Sequence, residues 1–110
     1  MPKSKSGLSP CFNPLNCVFF QNEFEDVDKT FELLVMIAQK IPRTNVIESN
    51  DIYWKGVCRS LIFRFPDDLE ILKIGNKIQI KSASRYGGGD FGVNGNRVGR
   101  LLTKLEKLNS

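Results

Sequence analysis

Histidine is absent from this 110-residue chain. With it go Ser-His-Asp and Cys-His catalysis, the His-Glu-x-x-His zinc helix and any imidazole proton shuttle. Cysteine is scarce, and three thiols cannot build a four-thiolate zinc site within one chain. No apolar run approaches the roughly 20 residues that a membrane-crossing helix needs. The opening Met-Pro-Lys-Ser-Lys-Ser-Gly is polar and basic, without the apolar core of a secretory signal, so no signal peptide is seen and the expected location is cytoplasmic. Internal repeats and low-complexity tracts are missing as well.

What is present suits one soluble globular domain: 41% apolar and 25% charged residues are ordinary for a packed core with a wet surface. A chain of this length buries roughly two thirds of its unfolded surface. The net charge of +4 invites anionic partners, yet basic residues run from Lys3 to Lys107 with acids interleaved, which argues against nucleic-acid binding.

Residues 8–21 hold Pro10, Pro14, Cys11 and Cys17 in an Asn- and Pro-rich setting. They read as part of an irregular N-terminal arm, 1–25, ahead of a single domain, 26–110. Cys11 and Cys17 close a disulfide in an oxidising compartment or pack as thiols in a reducing one, with metal binding a third alternative. A helix is predicted over 27–39, where Val27, Phe31, Leu34, Val35 and Ala38 share a face. Glu25, Asp26 and Asp28 favour its N-terminal end, and Pro42 lies just past its C-terminal end.

Strands follow. Residues 44–49 and 52–60 are rich in β-branched and aromatic side chains around an Asn50-Asp51 turn. Tyr53 and Trp54 point to opposite faces, so one of them lies exposed or beneath the arm. Cys58 reads as a buried, inert thiol. The segment 61–65 is apolar apart from Arg64, and Pro66 marks a bend or strand start. A Gly75-Asn76 turn then sets a hairpin register in which Ile74 faces Lys77, Ile71 faces Ile80, Glu70 faces Lys81, Leu69 faces Ser82, Asp68 faces Ala83 and Asp67 faces Ser84. Leu69, Ile71, Ile78 and Ile80 thereby claim the core side and bring Ser82 and Ser84 with them. On the other side Glu70 meets Lys81, and Asp68 lies diagonal to Lys81 and Arg85. A last helix runs from about 93 or 94 to 108 on a stripe of Val98, Leu101, Leu102, Leu105 and Leu108, and Gly99 within it implies close approach of another backbone.

The unusual chemistry gathers in 77–100, where a strand enters a glycine turn and then a helix. Amides of Gly87, Gly88 and Gly89 and the helix N-terminus suit an anion, and Arg85 or Arg97 can clamp a phosphate or carboxylate. Phosphate-loop and dinucleotide spacings are absent. The alternative is a self-satisfied turn in which Asp90 pairs with Arg85 or Arg97, Asn94 caps the helix, and Ser82 and Ser84 bond the turn's own backbone. Catalysis is poorly supported. Asp67 and Asp68 point to opposite faces and cannot easily share a metal, and a Ser82 or Ser84 nucleophile has only Asp67 as a base. No metal or cofactor is expected.

Lys-Ser-Ala-Ser-Arg at 81–85 and Gly-Gly-Asp-Phe-Gly-Val-Asn-Gly-Asn-Arg at 88–97, with Phe-Pro-Asp-Asp-Leu-Glu at 65–70 and the stretch 11–21, resemble the signature of a bacterial and plastid family catalogued as domain of unknown function 1499. That pattern runs Arg-Ser-Ala-Ser-Arg, a glycine turn, then Asp-Leu/Phe-Gly-Val-Asn-Arg-x-Arg. Lys81 and Gly95 stand where it has arginines, Pro66 where it has an aliphatic residue, and Phe19-Phe20 where it has small polar residues. The resemblance implies no reaction, since the family carries no established activity. It singles out Asp67, Asp68, Glu70, Ser82, Ser84, Arg85, Asp90, Asn94 and Arg97 as candidate binding residues.

The expected fold is α+β: the arm and a helix, an antiparallel meander of about four strands, and a C-terminal helix on the same sheet face as the first. The expected role is a non-catalytic binding or assembly module using the Ser-Ala-Ser-Arg turn, with a protein or a small anionic ligand as partner. The alternative is a small enzyme acting on an anionic substrate through Arg85, Arg97 and the nearby carboxylates.

Overall fold

The chain alternates from strand to helix to strands to helix: β1 (Cys17–Glu23), α1 (Val27–Gln39), β2 (Thr44–Ser49), β3 (Tyr53–Arg59), β4 (Pro66–Ile74), β5 (Lys77–Ser84) and α2 (Val93–Asn109). The computed structural model describes residues 7–60, 64–85 and 92–109. The expectations for 61–63 and for the glycine turn, Asp90 included, lie outside the described residues. The five strands form one antiparallel sheet in the order β1-β5-β4-β3-β2.

Local chemistry accounts for most of these elements. Asp26 caps α1 by accepting from the Lys29 amide at 3.2 Å, and the helix closes where the Lys40 amide bonds back to Ile37 O, two residues before Pro42. The β4–β5 hairpin adopts the predicted register pair for pair, with Gly75 at a φ of 61° in its turn. The β2–β3 turn sits one residue later than expected. Asn50 Oδ1 accepts from the amides of Ile52 and Tyr53, which makes Asp51-Ile52 the centre of the turn.

One correction concerns the N-terminal arm. Residues 17–23 are not irregular but form β1, paired along β5 from Cys17↔Ala83 to Glu23↔Lys77, so the sheet has a fifth strand. Pairing satisfies the outer edge of β5 and turns Val18 and Phe20 toward the helices.

Both helices pack on one face of the sheet. Phe31, Leu34 and Ala38 of α1 and Val98, Leu101 and Leu105 of α2 meet Trp54, Leu69, Ile71, Ile78 and Ile80 in one buried cluster. Gly56 leaves room for the Trp54 indole, since a Cβ there would lie 2.5 Å from its Cη2 atom. The arm covers part of the other face: Leu8 packs with Tyr53 and Leu72, and its amide bonds Gln79 Oε1 at 2.8 Å. Tyr53 is thus the residue beneath the arm. Gly99 departs from expectation, because it is exposed and a Cβ on it would meet nothing within 4 Å.

Candidate functional site

Strand alternation places Asp67 of β4 and Ser82 and Ser84 of β5 on the helix-bearing face, under the first turns of α2. Helical spacing puts Asn94 and Arg97 together above them. The result is a polar knot at the end of an otherwise apolar interface. Asn94 Oδ1 accepts from Ser82 Oγ at 2.6 Å and from Arg97 Nη1 at 2.9 Å. The same guanidinium nitrogen donates to Asp67 Oδ2 at 3.0 Å and to Ser82 Oγ at 3.1 Å. Asn94 Nδ2 in turn donates to Ser84 Oγ and to the backbone carbonyl of Asn16, each at 3.1 Å. The Asn16 carbonyl also accepts from the Ser84 amide at 2.9 Å. Asn94 and Ser82 are wholly buried, and the side chains of Arg97 and Asp67 are only 11% and 8% exposed. Buried polar groups are tolerated when bonded in this way.

The remaining candidates lie elsewhere. Arg85 grips Asp68 through Nε and Nη2, at 3.0 Å from Nη2 to Oδ1, on the opposite face of the sheet. Glu70, on that face too, accepts a 2.5 Å hydrogen bond from the Tyr53 hydroxyl. Of the nine, then, Asp67, Ser82, Ser84, Asn94 and Arg97 converge, Asp68, Glu70 and Arg85 do not, and Asp90 lies outside the described residues. Three expectations change. Arg85 and Arg97 do not aim at one anion, because each answers one of two adjacent aspartates that strand geometry sends to opposite faces. Asn94 is not the cap of α2 but its second residue, with its side chain turned inward. The Ser82 hydroxyl bonds α2 rather than the turn's backbone.

The knot organises a neighbouring cleft of about 410 Å³ between the C-terminal end of α1, the end of β3 and the N-terminal part of α2. Its floor is apolar, with Ile37, Ile41 and Leu101. Its walls carry Arg43, Arg59, Arg97, Arg100 and Lys104, and among the described residues no acid lines it. Arg97 is balanced by Asp67, whereas Arg43, Arg59, Arg100 and Lys104 make no ion pair among the described residues. Arg43 and Arg59 hold each other through the backbone: the Arg59 amide donates to Arg43 O at 3.0 Å and Arg43 Nε to Arg59 O at 3.2 Å. Sequence reasoning singled out Arg97 but missed Arg43 and Arg59, which only the tertiary fold brings beside it. Cys58, deep in the same region, accepts from Thr44 Oγ1 at 3.3 Å, and burial raises its thiol pKa.

Ser82 donates to an amide oxygen, which is no base, and the Asp67 carboxylate accepts from a guanidinium. Among the described residues no group of three or more Cys, Asp or Glu is placed to hold a metal ion, and no helix is long and apolar enough to cross a membrane.

A search of curated proteins returns no match. The family described as Protein of unknown function (DUF1499) matches over residues 8–105, from the arm that covers Tyr53 to the last buried leucine of α2, and the chain belongs to that family.

Proposed function

We propose that this protein is a non-catalytic binding module whose ligand is a small organic anion with an apolar part, held in the cleft between α1 and α2. The observation that carries this reading is the make-up of the cleft: among the described residues, five cations, no acid and an aliphatic floor in a volume of about 410 Å³. That volume falls within the usual range for small-molecule sites, roughly 300–1,000 Å³. Four cations that make no ion pair among the described residues repel one another, and an anion between them relieves the repulsion. The Ser-Ala-Ser-Arg segment serves this site indirectly, through Ser82 and Asn94, which fix α2 and hold Arg97 in the wall. The enzymatic alternative gains nothing from the knot, where neither serine is bonded to a carboxylate.

The Cys11–Cys17 bond, with its Cα atoms 5.7 Å apart, supports residence in an oxidising compartment rather than the cytoplasm expected from the sequence. Cytosolic thiols are kept reduced.

Titration with 8-anilinonaphthalene-1-sulfonate, an apolar ring system carrying one sulfonate, tests the reading. Saturable fluorescence enhancement is expected, falling about tenfold in affinity in the exposed variants Arg100→Glu and Lys104→Glu, since a charge-assisted contact contributes roughly 1.5–3 kcal/mol. Equal affinity in both variants and the parent would remove the cleft from consideration.

A further inference from the structure

The ladder pairs Thr44↔Cys58, Arg59↔Pro66, Asp67↔Ser84 and Cys17↔Ala83 bring the start of β2, the end of β3, the start of β4, the end of β5 and the start of β1 to one end of the sheet. Two kinds of side chain gather there. Phe12 and Leu15, in the loop before β1, are 91% and 68% exposed, and Phe65, before β4, is 56% exposed. At the same end lie Arg43, Arg59 and Arg64, tied together by Arg43 Nε to Arg59 O and by Arg59 Nη1 to Arg64 O, each at 3.2 Å.

From this we infer that this end of the sheet docks onto an anionic lipid bilayer, with Phe12, Leu15 and Phe65 entering the headgroup region and Arg43, Arg59 and Arg64 meeting lipid phosphates. The inference does not rest on what fills the cleft.

Two features argue against incidental exposure. The loop that carries Phe12 and Leu15 is closed by the Cys11–Cys17 bond and folded on itself, with the Leu15 amide on Asn13 Oδ1 and the Asn16 amide on Asn13 O. Its apolar side chains are therefore presented on a constrained loop, which lowers the ordering cost of burying them elsewhere. Arg43 and Arg64 are the non-glycine residues at positive φ among the described residues, at 60° and 58°, and both belong to this cluster. Such backbone is unfavourable for side-chain-bearing residues and collects at binding and switch sites.

The partner's chemistry follows from the arrangement. Arg43, Arg59 and Arg64 concentrate positive charge there, so the surface complements negative charge. The apolar tips come from separate connections, and a fluid interface can receive separate tips without a matching rigid relief. Interfacial binding of this kind combines apolar insertion with attraction to anionic headgroups.

The test is co-sedimentation of the full, oxidised chain with vesicles of phosphatidylcholine alone and of phosphatidylcholine mixed with phosphatidylglycerol. Binding is expected to the mixed vesicles at least about tenfold above neutral ones and to weaken with salt. The double variant Phe12→Ser, Leu15→Ser should lose about tenfold or more in partitioning. Arg64→Gln should weaken binding to mixed vesicles alone. Failure to sediment with mixed vesicles, or equal binding by the double variant, overturns the inference. Because Phe12 and Leu15 lie outside the cleft, anilinonaphthalene-sulfonate binding by the same double variant reports separately on the cleft: vesicle binding lost with dye binding kept is the expected pattern. Dye binding without vesicle binding in the parent would leave the cleft reading standing and end this one.

Discussion

Deleting the carboxylate of Asp67 measures what the buried knot contributes. In Asp67→Ala the Arg97 guanidinium, 11% exposed, keeps Ser82 Oγ and Asn94 Oδ1 as acceptors but loses its counter-charge. Breaking a buried pair from one side costs roughly 3–5 kcal/mol, and the two surviving acceptors set the expected loss at about 3 kcal/mol. With an unfolding entropy of about 2.1 cal/mol/K per residue, that loss lowers Tm by about 13 °C in a domain of this size. A parent stability in the ordinary range, about 5–15 kcal/mol, keeps the variant folded. Urea unfolding followed by fluorescence of Trp54, the single and wholly buried tryptophan, supplies the readout. The double variant Asp67→Leu, Arg97→Met removes both charges and should recover at least half of the loss. A single variant within about 1 kcal/mol of the parent would mean that water reaches Arg97 freely, contrary to the buried reading. A double variant as unstable as the single would assign the cost to packing instead of charge.

Gly99→Ala should stabilise the chain by about 1 kcal/mol, read as a raised midpoint in the same urea titration, because the site is helical and open. A lowered midpoint would reveal a neighbour at that position. Burial, reinforced by the hydrogen bond to Glu70, raises the Tyr53 pKa well above its ordinary value of 10.0. The folded state therefore favours the neutral phenol. Its contribution is complete below about pH 10 and declines as pH climbs above that value. Ultraviolet titration should show the Tyr53 phenolate forming only as the chain unfolds, and its ionisation in the folded protein near pH 10 would contradict the burial.

How much of this was legible in the sequence differs from element to element. The β4–β5 hairpin could be paired residue by residue because its apolar alternation and its Gly75-Asn76 turn agree, and a slip by one would expose Leu69, Ile71 and Ile80 together. Helix α1 was equally plain, with acids at one end and Pro42 beyond the other. Strand β1 was hidden because only Val18 and Phe20 mark its inner face, and its neighbours are the Pro- and Asn-rich loop. The β2–β3 pairing carries an irregularity between Val46 and Glu48 that no local pattern announces. At the site, the convergence of Asp67 with Ser84 was implicit in the hairpin register. The inward turn of Asn94 was not, because an asparagine at a helix start suits a cap as well as a core contact. The cleft could not be read at all, since Arg43, Arg59 and Arg100 come from three different elements.

The pairing of β1 with β5 also has a bearing on how the chain is made. A ribosome extends a polypeptide by roughly 5–20 residues per second, so Cys17–Glu23 emerges seconds before Lys77–Ser84 exists to receive it. Through that interval Val18, Phe19 and Phe20 lack their native neighbours, and such nascent segments are the ones chaperones retain. Contacts between the beginning and the end of a chain also raise its contact order, which slows folding. The β1–β5 pairing can close only after β5 has been made, and the Asn16 carbonyl reaches Asn94 only once α2 is in place.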